Sequence, residues 1–408
     1  MDSLSYLFSL EQFGIKFGLA SIRALLARLG NPDHAFRSIH VAGTNGKGSV
    51  TAMVDSVLRR AGHRSARYTS PHLIDLSERF VVDGRAVATA ELARAAEDVR
   101  QAIEAAIADG TLSAKPTFFE ATTAMAFDMF RRAGVEFAVV EVGLGGRLDS
   151  TNVIDPIVTA ITSIDFDHQQ YLGNTLAEIA GEKAGIIKPG VPVVVGDVAP
   201  DAFAVIERIA RERGAALIRA GAAARDYGPI RLGLRGEHQR ANAQVAMRVL
   251  ETLERIGVTI GTEAIVDGLT NVTWPGRLDH RTLSNGREIV LDAAHNPAGA
   301  SALASYLRSL GGPPPTLVFG AMRDKDVDGM LTVLLPAVGR VIVTRPSNPR
   351  AADPEALASR IRALQPSLAV EVVASPGDAV ARAARTLALV VVAGSIFLLG
   401  DVMREIGA

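Results

Sequence analysis

The sequence predicts a doubly wound α/β protein with two domains. Short apolar, β-rich runs alternate with helical patterns along most of the chain, and one of these runs leads through a glycine-rich loop into a helix. The length of 408 residues exceeds what a single hydrophobic core usually serves. In such folds ligands bind at the carboxyl ends of parallel strands, so polar residues that directly follow predicted strands are the first candidates for a site.

The predicted elements cover most of the chain. Buried strands are predicted at residues 38–42, 137–142, 157–164, 191–196, 288–292, 315–319, 341–344 and 389–392. Helices are predicted at residues 51–61, 90–109, 119–132, 203–213, 239–255 and 298–310. The polar stretch 279–287 contains an Asn-Gly turn signal and is the best domain break. We therefore expect one domain at residues 1–281 and a second at residues 282–408.

Composition excludes several classes of function. The absence of cysteine rules out disulfides, thiolate metal sites and cysteine nucleophiles. A net charge of −1 gives no reason to expect nucleic acid or an anionic membrane as a partner. The first residues lack a secretory pattern, and the most apolar stretch, 387–399, is too short to span a bilayer. We expect a cytoplasmic protein without nucleic-acid or membrane partners, whose anion site is a local concentration of donors.

The segment His-Val-Ala-Gly-Thr-Asn-Gly-Lys-Gly-Ser-Val, which begins at His40, is suited to holding nucleotide phosphates. Its three glycines let the backbone turn sharply and come close to an anion. Lys47 supplies a charge for the β- and γ-phosphates, Ser49 offers a hydroxyl to Mg²⁺, and the helix that follows adds unpaired N–H groups. The spacing differs from the usual G-x-x-x-x-G-K-[ST] motif, and the alternative is an ordinary flexible strand–helix turn.

Polar residues follow two further predicted strands. Glu141 ends an apolar strand, and a buried carboxylate without a partner is costly, so a Mg²⁺ ligand role is reasonable; an ion pair with Arg147 is the alternative. The glycines after Glu141 do not fit a dinucleotide fingerprint, because leucine stands where the third glycine is needed. His168 follows the next strand beside two aspartates, which favours metal binding over a structural role. Ser70 offers a second hydroxyl, although Ser-Pro is more often simply a turn.

Later candidates lie in three blocks. Lys183 belongs to a helical pattern that soon breaks at a glycine, and the sequence alone favours an exposed charge there. Arg277 lies on a Trp-Pro-Gly-Arg turn suited to phosphate. Asp292 and His295 follow a strand of the second domain, where the first could accept hydrogen bonds from a ribose and the second could reach a phosphate. Asn296 is suited to capping the next helix, and the two roles of this block are compatible.

Taken together and in this order, these motifs resemble the folylpolyglutamate synthase/dihydrofolate synthase family of Mur-type ATP-dependent amide ligases. The resemblance extends over nearly the whole chain. It is most specific in the His-Val-Ala-Gly-Thr-Asn-Gly-Lys-Gly-Ser loop combined with Asp-Ala-Ala-His-Asn-Pro at 292–297. Other matching blocks lie at residues 13–19, 69–73, 116–120, 181–183, 236–242 and 275–277.

The resemblance implies a fold and a reaction. The fold is a P-loop-type doubly wound ATPase domain followed by a smaller Rossmann-like domain, with the reaction in the cleft between them. ATP phosphorylates a substrate carboxylate, and the amine of L-glutamate attacks the resulting acyl phosphate. The implied partners are ATP as co-substrate, Mg²⁺, L-glutamate, dihydropteroate and reduced folates, with no flavin or nicotinamide, and the implied state is a monomer.

The resemblance also implies roles for individual residues. The implied nucleotide contacts are Gly43, Thr44, Asn45, Gly46, Lys47, Gly48, Ser49, Asn242, Arg277 and Asp292. The implied metal ligands are Ser49, Ser70, Glu141, His168 and Lys183, and Lys183 matches a carbamylated lysine of the family. The implied catalytic residues are Lys47, Lys183 and His295. The implied pterin or folate contacts are Gly18, Leu19, Thr117, Phe118, Phe119 and Glu120.

These motifs favour a ligase that accepts both dihydropteroate and reduced folates, because the block at 116–120 resembles the version that accepts dihydropteroate. The alternatives are a monofunctional folylpolyglutamate synthase, a Mur-type peptidoglycan amino-acid ligase, and a P-loop NTPase that serves as a switch or binding module. The pterin-side motifs disfavour the peptidoglycan ligase. A switch would give no reason for the block at 292–297, and no guanine-reading Asn-Lys-x-Asp is present.

Overall fold

The computed structural model describes residues 2–14, 16–222 and 225–407 and confirms the predicted α/β class. The chain forms two compact units: Met1–Gly233 with Ala241–Val272, and Leu234–Arg240 with Thr273–Ala408. The change between units at Val272 comes earlier than the predicted boundary between residues 281 and 282. The strand at Asp279–Thr282 spans the predicted boundary and pairs with the strand that follows it, so it belongs to the second unit.

Within the described residues, the first unit is built on one eight-stranded sheet. Its strands are β1 (Arg37–Ala42), β2 (Ser65–Tyr68), β3 (Phe80–Val82), β4 (Arg85–Ala86), β5 (Phe137–Glu141), β6 (Pro156–Ile161), β7 (Val193–Val195) and β8 (Leu217–Arg219). They lie in the order β4-β3-β2-β5-β1-β6-β7-β8. The run from β2 to β8 is parallel, and β3 and β4 add antiparallel pairs at one edge.

The second unit has its own sheet, with six strands among the residues that the structure describes. They are β9 (Asp279–Thr282), β10 (Glu288–Leu291), β11 (Thr316–Phe319), β12 (Arg340–Val343), β13 (Ala369–Val372) and β14 (Val390–Ala393). The order is β13-β12-β11-β14-β10-β9, and only the β9–β10 pair is antiparallel. This is the smaller Rossmann-like fold that the resemblance implies.

Helices connect the strands of both units. Those of the first half of the chain are α1 (Ser3–Ser9), α2 (Ala20–Arg28), α3 (Lys47–Arg60), α4 (Thr89–Ala108), α5 (Phe118–Arg132), α6 (Gln169–Leu172), α7 (Leu176–Ala184) and α8 (Pro200–Glu212). They are followed by α9 (Glu237–Arg255), α10 (Thr262–Thr270), α11 (Pro297–Leu310), α12 (Val327–Leu334), α13 (Pro354–Leu364), α14 (Pro376–Ala383) and α15 (Ile396–Glu405). Over the described ranges, none of these helices combines the length and apolar character of a membrane span.

The central strands of the first sheet are apolar on both faces because helices cover the sheet on both sides. Every residue of β5 is buried, including Glu141 at its end. The helix α3 is buried continuously from Gly48 to Leu58. Polar groups at these positions need partners inside the protein, and those partnerships define the candidate site.

Candidate functional site

Three neighbouring strand ends form the candidate site of the first unit. The strands β5, β1 and β6 are adjacent and parallel. Because parallel strands have their carboxyl ends at one edge of the sheet, the segments 43–46, 142–146 and 162–168 leave that edge side by side. The structure thus gathers the phosphate-loop, Glu141 and His168 motifs, which are far apart in the chain.

The loop between β1 and α3 requires glycine at two positions. Gly43 and Gly46 have φ values of 150° and 86°, where other residues are strained. A Cβ at Gly43 would collide with the Oγ1 of Thr162, and one at Gly46 would collide with the Oδ1 of Asn242. The glycines therefore permit the backbone turn and also the close packing of Asn242 against the loop.

Residues that follow β6 brace this loop. The N–H of Thr44 donates to the carbonyl oxygen of Ser163 at 2.8 Å, and the N–H of Asn45 donates to Ser163 Oγ at 3.0 Å. Thr162 Oγ1 donates to the carbonyl oxygen of Asn45 at 2.6 Å, while Thr44 Oγ1 accepts from the N–H of Asp165 at 3.0 Å. These hydrogen bonds attach the loop to the residues after β6 and place it at the N-terminus of α3, where backbone N–H groups favour an anion.

Two lysines converge on the phosphate loop. Lys47 Nζ donates to the carbonyl oxygens of Gly43 and Thr44, both at 3.1 Å, and Lys183 Nζ donates to the same Gly43 oxygen at 2.9 Å. Lys183 is 4% exposed, so the interpretation of this residue as an exposed helical charge is wrong. Burial, together with the charge of Lys47, lowers the pKa of Lys183 to about 7. The neutral form of this amine is therefore more favoured than that of an exposed lysine.

Lys183 reaches the loop because α7 packs closely on the glycine-rich segment after β5. A Cβ on Gly146 would lie 2.8 Å from the carbonyl oxygens of both Glu182 and Lys183. The N–H of Arg147 donates to the carbonyl oxygen of Glu182 at 2.8 Å, and its guanidinium pairs with Glu182 Oε1 at 2.8 Å. Arg147 therefore forms its ion pair with Glu182 and not with Glu141, the alternative partner.

Glu141 and Ser70 are neighbours, since β2 and β5 are adjacent. Glu141 is 6% exposed, and its Oε2 accepts a hydrogen bond from the N–H of Ser70 at 3.2 Å. His168 follows β6 with a left-handed φ of 51°, and its Nε2 lies 3.8 Å from Asp167 Oδ1. Asp167 is also one of the carboxylates that act on the pKa of Lys183, which places this pair near the lysine.

The oxygen donors at these strand ends fit Mg²⁺. No group of three or more His, Asp or Glu side chains in the described part of the chain is placed to hold a metal ion by itself. Mg²⁺ does not require such a group, because it is usually bound by one or two carboxylates together with substrate phosphates and water. The buried Glu141 carboxylate and the Ser49 hydroxyl, at the first turn of α3, supply donors of this kind.

The predicted pterin segment 117–120 includes a helix cap. Thr117 Oγ1 accepts from the N–H of Glu120 at 3.1 Å, and Glu120 Oε2 accepts from the N–H of Thr117 at 2.7 Å. This is a capping box at the start of α5, and its Thr-x-x-Glu signature was present in the sequence. Gly18 (φ 127°) and Leu19 precede α2, and Leu19 packs against the same hydrophobic cluster as the start of α5.

The two phenylalanines of this segment have separate environments. The ring of Phe118 lies 5.2 Å from the guanidinium of Arg79, a buried residue that sequence analysis did not single out. The ring of Phe119 stacks on Tyr68 at a centroid distance of 6.0 Å. A Cβ on Gly143 would lie 2.5 Å from Phe119, so the segment after Glu141 packs directly on this ring.

The second unit has a strand-end group of its own after β10. Asp292 is 6% exposed, and its carboxylate accepts from the N–H groups of Leu278 at 2.9 Å and Ala294 at 3.0 Å. Burial raises the pKa of Asp292, while the nearby charges of Arg277 and His295 act to lower it. The structure therefore brings Arg277, Asp292 and His295 together.

The predicted cap of α11 is confirmed. Asn296 Oδ1 accepts from the N–H of Gly299 at 2.8 Å, and Pro297 begins the helix. The preceding His295 has its Nδ1 2.8 Å from the carbonyl oxygen of Ala293. Because a carbonyl can only accept, Nδ1 carries a proton in this arrangement.

Sequence analysis missed a buried polar chain behind the site. His40 Nε2 lies 2.8 Å from Thr151 Oγ1, the Thr151 hydroxyl donates to Asp149, and Asp149 Oδ2 accepts from the N–H of Leu144 at 2.8 Å. A histidine inside an apolar strand is typical of a core residue, so the sequence alone gave no reason to assign His40 a role. The Asp-Ser-Thr run at 149 is a typical helix-capping pattern and was the available signal.

Family models match two parts of the chain. Residues 41–228 match the Mur ligase middle domain, and residues 276–396 match the Mur ligase glutamate ligase domain.

Individual relatives resemble the chain over most of their length. The chain is 38% identical to the dihydrofolate synthase/folylpolyglutamate synthase of Bacillus subtilis over 353 residues, and this alignment covers 81% of each protein. It is 38% identical over 379 residues to the protein of the same name from Mycobacterium tuberculosis, covering 83% of this chain and 76% of that protein.

Solved structures agree with the whole fold. Mycobacterium tuberculosis folylpolyglutamate synthase complexed with ADP and AMPPCP is similar with a TM-score of 0.90 and 34% identity, over 100% of this chain and 99% of that one. E. coli FolC in complex with DHPP and ADP is similar with a TM-score of 0.88 and 29% identity, over 100% of this chain and 98% of that one.

Proposed function

Because the chain belongs to the Mur ligase family, in the group of dihydrofolate synthases and folylpolyglutamate synthases, we propose that it joins L-glutamate to dihydropteroate and to reduced folates with ATP as co-substrate. The observation that carries the proposal is the braced phosphate loop, with Lys47 and Lys183 on one carbonyl at adjacent strand ends. Action in the cytoplasm as a monomer is part of the proposal and rests on the family alone.

The phosphates of ATP bind at the loop between β1 and α3. The N–H groups at the start of α3 favour an anion, and Lys47 adds a positive charge that can stabilise the transferring phosphoryl group. The other contacts of the nucleotide in this proposal are Gly43, Thr44, Asn45, Gly46, Gly48, Ser49, Asn242, Arg277 and Asp292. The dense bracing of the loop supports this assignment, because it removes the cost of ordering the loop at the moment of binding.

In this proposal Ser49, Ser70, Glu141 and His168 would hold Mg²⁺. When bound, the ion neutralises charge on the phosphates during transfer. Lys183 joins these ligands only after carbamylation, in which the uncharged Nζ attacks CO₂, an N–C bond forms and a proton is released. The resulting carboxylate is an oxygen donor, whereas the free amine of a lysine is not one.

The reaction proceeds in two transfers. A carboxylate oxygen of the pteroate or folate attacks the γ-phosphorus, the bond to the bridging oxygen breaks, and ADP leaves an acyl phosphate behind. The uncharged amine of L-glutamate attacks the acyl carbon, the tetrahedral intermediate collapses, and phosphate leaves with the bonding electrons as the nitrogen loses a proton. The enzyme contributes chiefly by positioning and by stabilising charge.

The folate substrate binds at the aromatic side of the first unit. Phe119 is half-buried and offers a ring that can stack on a pterin or aminobenzoate ring, whereas Phe118 is buried in the hydrophobic cluster that Leu19 also contacts. Gly18 directly precedes Leu19 in the chain. Thr117 and Glu120 contribute by fixing the start of α5 from which these rings project. In the second unit, His295 is assigned a catalytic role, which its grouping with Arg277 and Asp292 supports.

Product analysis tests the proposed function. Purified protein is incubated with ATP, Mg²⁺, L-glutamate and either dihydropteroate or tetrahydrofolate, and the products are identified by mass spectrometry. The expected result is a product one glutamate residue heavier than each substrate, formed together with ADP. If only tetrahydrofolate gave a product, the protein would be a monofunctional folylpolyglutamate synthase. ATP hydrolysis that does not depend on L-glutamate would contradict the proposal.

A further inference from the structure

The strand that leads into the phosphate loop is connected to the loop after β5 by a chain of buried hydrogen bonds. His40 in β1 lies with its Nε2 2.8 Å from Thr151 Oγ1, and the Thr151 hydroxyl donates to Asp149 Oδ1. The other oxygen of Asp149 accepts from the N–H of Leu144 at 2.8 Å. His40 and Thr151 are fully buried and Asp149 is 6% exposed, so these bonds are shielded from water.

From His40 to Asp149 each donor points towards the Asp149 carboxylate, which accepts from Leu144 on its other side. The hydroxyl of Thr151 has a single proton, which goes to the Asp149 carboxylate, so its oxygen must accept from His40. The proton of His40 is therefore on Nε2. Burial, with a smaller contribution from the charge of Lys188, lowers the pKa of His40 to about 3, which agrees with a neutral imidazole in this role.

The same turn also holds the end of α7. Asn152 Nδ2 donates to the carbonyl oxygens of Arg147 at 3.0 Å and Gly185 at 3.1 Å. Gly185 directly follows α7, which carries Lys183. The carbonyl oxygen of Asn152 in turn accepts from Lys188 Nζ at 2.8 Å. The 3₁₀ turn Ser150–Val153 is thus tied to β1, to the loop after β5 and to the end of α7.

We propose that His40 and Thr151 are positioning residues, which through Asp149 fix the segment 143–146 relative to the phosphate loop. This inference rests on the proposed function, because it assigns these residues an effect on the rate of that ligation. Glu141 lies just before this segment and the ring of Phe119 packs on it, so a shift of the segment would displace groups assigned to Mg²⁺ and to folate. Displacements of about 1 Å can lower an enzymatic rate by roughly 100-fold.

Threonine-to-valine substitutions separate positioning from general stability. Thr151→Val removes the hydroxyl at constant shape, and Thr151→Ser retains it. Thr159→Val is the matched control, because Thr159 is equally buried in β6 and donates to the carbonyl oxygen of Pro192 at 3.2 Å, outside this chain of bonds. We expect Thr151→Val to lower kcat about 10- to 100-fold while the Kd for a fluorescent ATP analogue changes less than about threefold. Thr151→Ser and Thr159→Val keep kcat within about threefold of the unmodified enzyme.

A double variant tests whether His40 acts through Thr151. Because both residues belong to one chain of bonds, His40→Leu combined with Thr151→Val should lower kcat no further than the more harmful single substitution. If the double variant lowered kcat by the product of the two single effects, His40 would act independently of Thr151, and the proposal would be overturned. A Thr151→Val enzyme with the kcat of Thr159→Val would also overturn it.

Hydrogen exchange gives a readout that does not depend on catalysis. The Leu144 N–H should exchange faster in Thr151→Val than in the unmodified protein or in Thr159→Val, as measured by mass spectrometry of a peptide that begins at least two residues before Leu144, such as one covering residues 140–152. Unchanged exchange would overturn the proposal. If the unmodified protein forms no product from any substrate, the proposed function fails, and this exchange measurement alone decides whether the segment is positioned by Thr151.

Discussion

Lys183 is a buried amine whose Nζ lies 2.9 Å from the carbonyl oxygen of Gly43, beside a second lysine, Lys47. Removing an ammonium group from water disfavours its charged form, and the charge of Lys47 adds repulsion. These effects lower the pKa of Lys183 to about 7. An amine of this kind can react with CO₂ near neutral pH, whereas an exposed lysine would remain protonated.

Substitution of Lys183 tests the carbamate directly. We expect Lys183→Ala to lower kcat by about 100-fold or more, and added bicarbonate should not restore it. Lys183→Arg is the matched control, because it keeps a long basic side chain but cannot form a stable carbamate, so it should be equally impaired. In CO₂-depleted buffer, bicarbonate should raise the activity of the unmodified enzyme. Activity of Lys183→Arg at the unmodified level would contradict the carbamate role.

Lys47 has a different role, because it serves as a charge for the transferring phosphoryl group. We expect Lys47→Ala to reduce ADP formation by at least about 100-fold, since a charge aimed at the transition state is lost. Its side chain is only partly buried, so the thermal unfolding temperature should change by no more than a few degrees. An unchanged kcat in this variant would show that the loop takes no part in phosphoryl transfer.

The lowered pKa of His40 predicts that the stability of the protein depends on pH. This pKa is lowered from 6.5 to about 3 in the folded protein, so between these values the unfolded chain binds a proton that the folded chain does not. The free energy of unfolding therefore falls as the pH decreases from about 6.5 towards 3. His40→Gln keeps a donor near the position of Nε2 but cannot titrate. Between about pH 6.5 and about pH 5.5, urea unfolding should show the unmodified protein losing roughly 1 kcal/mol relative to this variant. A difference that does not change with pH would contradict the assignment.

At the scale of elements, the position of α7 depends on a glycine in a neighbouring loop. A Cβ on Gly146 would press on the carbonyl oxygens of Glu182 and Lys183, at 2.8 Å from each. Gly181 lies inside the same helix, and the nearest atom to a Cβ there is a Val205 methyl group at 3.9 Å. The two glycines therefore occur for different reasons, although both lie in the candidate site motifs.

Two glycine-to-alanine substitutions should have opposite effects. Gly146→Ala forces α7 away from the loop, so we expect a lower unfolding temperature and a reduced kcat. Gly181→Ala removes a glycine from a helix interior where a methyl group has room, which should stabilise the protein by up to about 1 kcal/mol. Thermal unfolding followed by circular dichroism, with ADP formation as the activity assay, compares them. Equal changes in the two variants would show that the close contact at Gly146 does not hold α7.

Strands and helices with long apolar patterns could be predicted from the sequence, and each predicted strand overlaps an observed one. The strands β2, β3, β4, β8, β9 and β13 were not predicted, because each has only two to four residues and is too short to show a periodic pattern. Their pairing depends on neighbouring strands and not on a local pattern. The helix α7 begins with a capping box at Thr175 and Glu178, and this local signal is present in the sequence.

At the scale of the whole molecule, the order of the strands determines what could be inferred about the site. The motifs of Lys47, Glu141 and His168 each marked one predicted strand end, whereas Ser70 was expected only on a turn. The order β2-β5-β1-β6 places all four residues at one edge of the sheet. The burial of Lys183 and the chain of bonds from His40 to Leu144 could not be predicted. They depend on contacts between residues that lie more than 100 positions apart.

The central claim is that the substrate carboxylate is phosphorylated before L-glutamate attacks it. Dihydropteroate labelled with ¹⁸O in its carboxylate tests this most directly, with the released phosphate examined by mass spectrometry. The account predicts one ¹⁸O atom in each phosphate released with product, because the oxygen that attacks the γ-phosphorus leaves with it. Phosphate without the label would mean that water cleaves ATP, and it would contradict the acyl-phosphate mechanism.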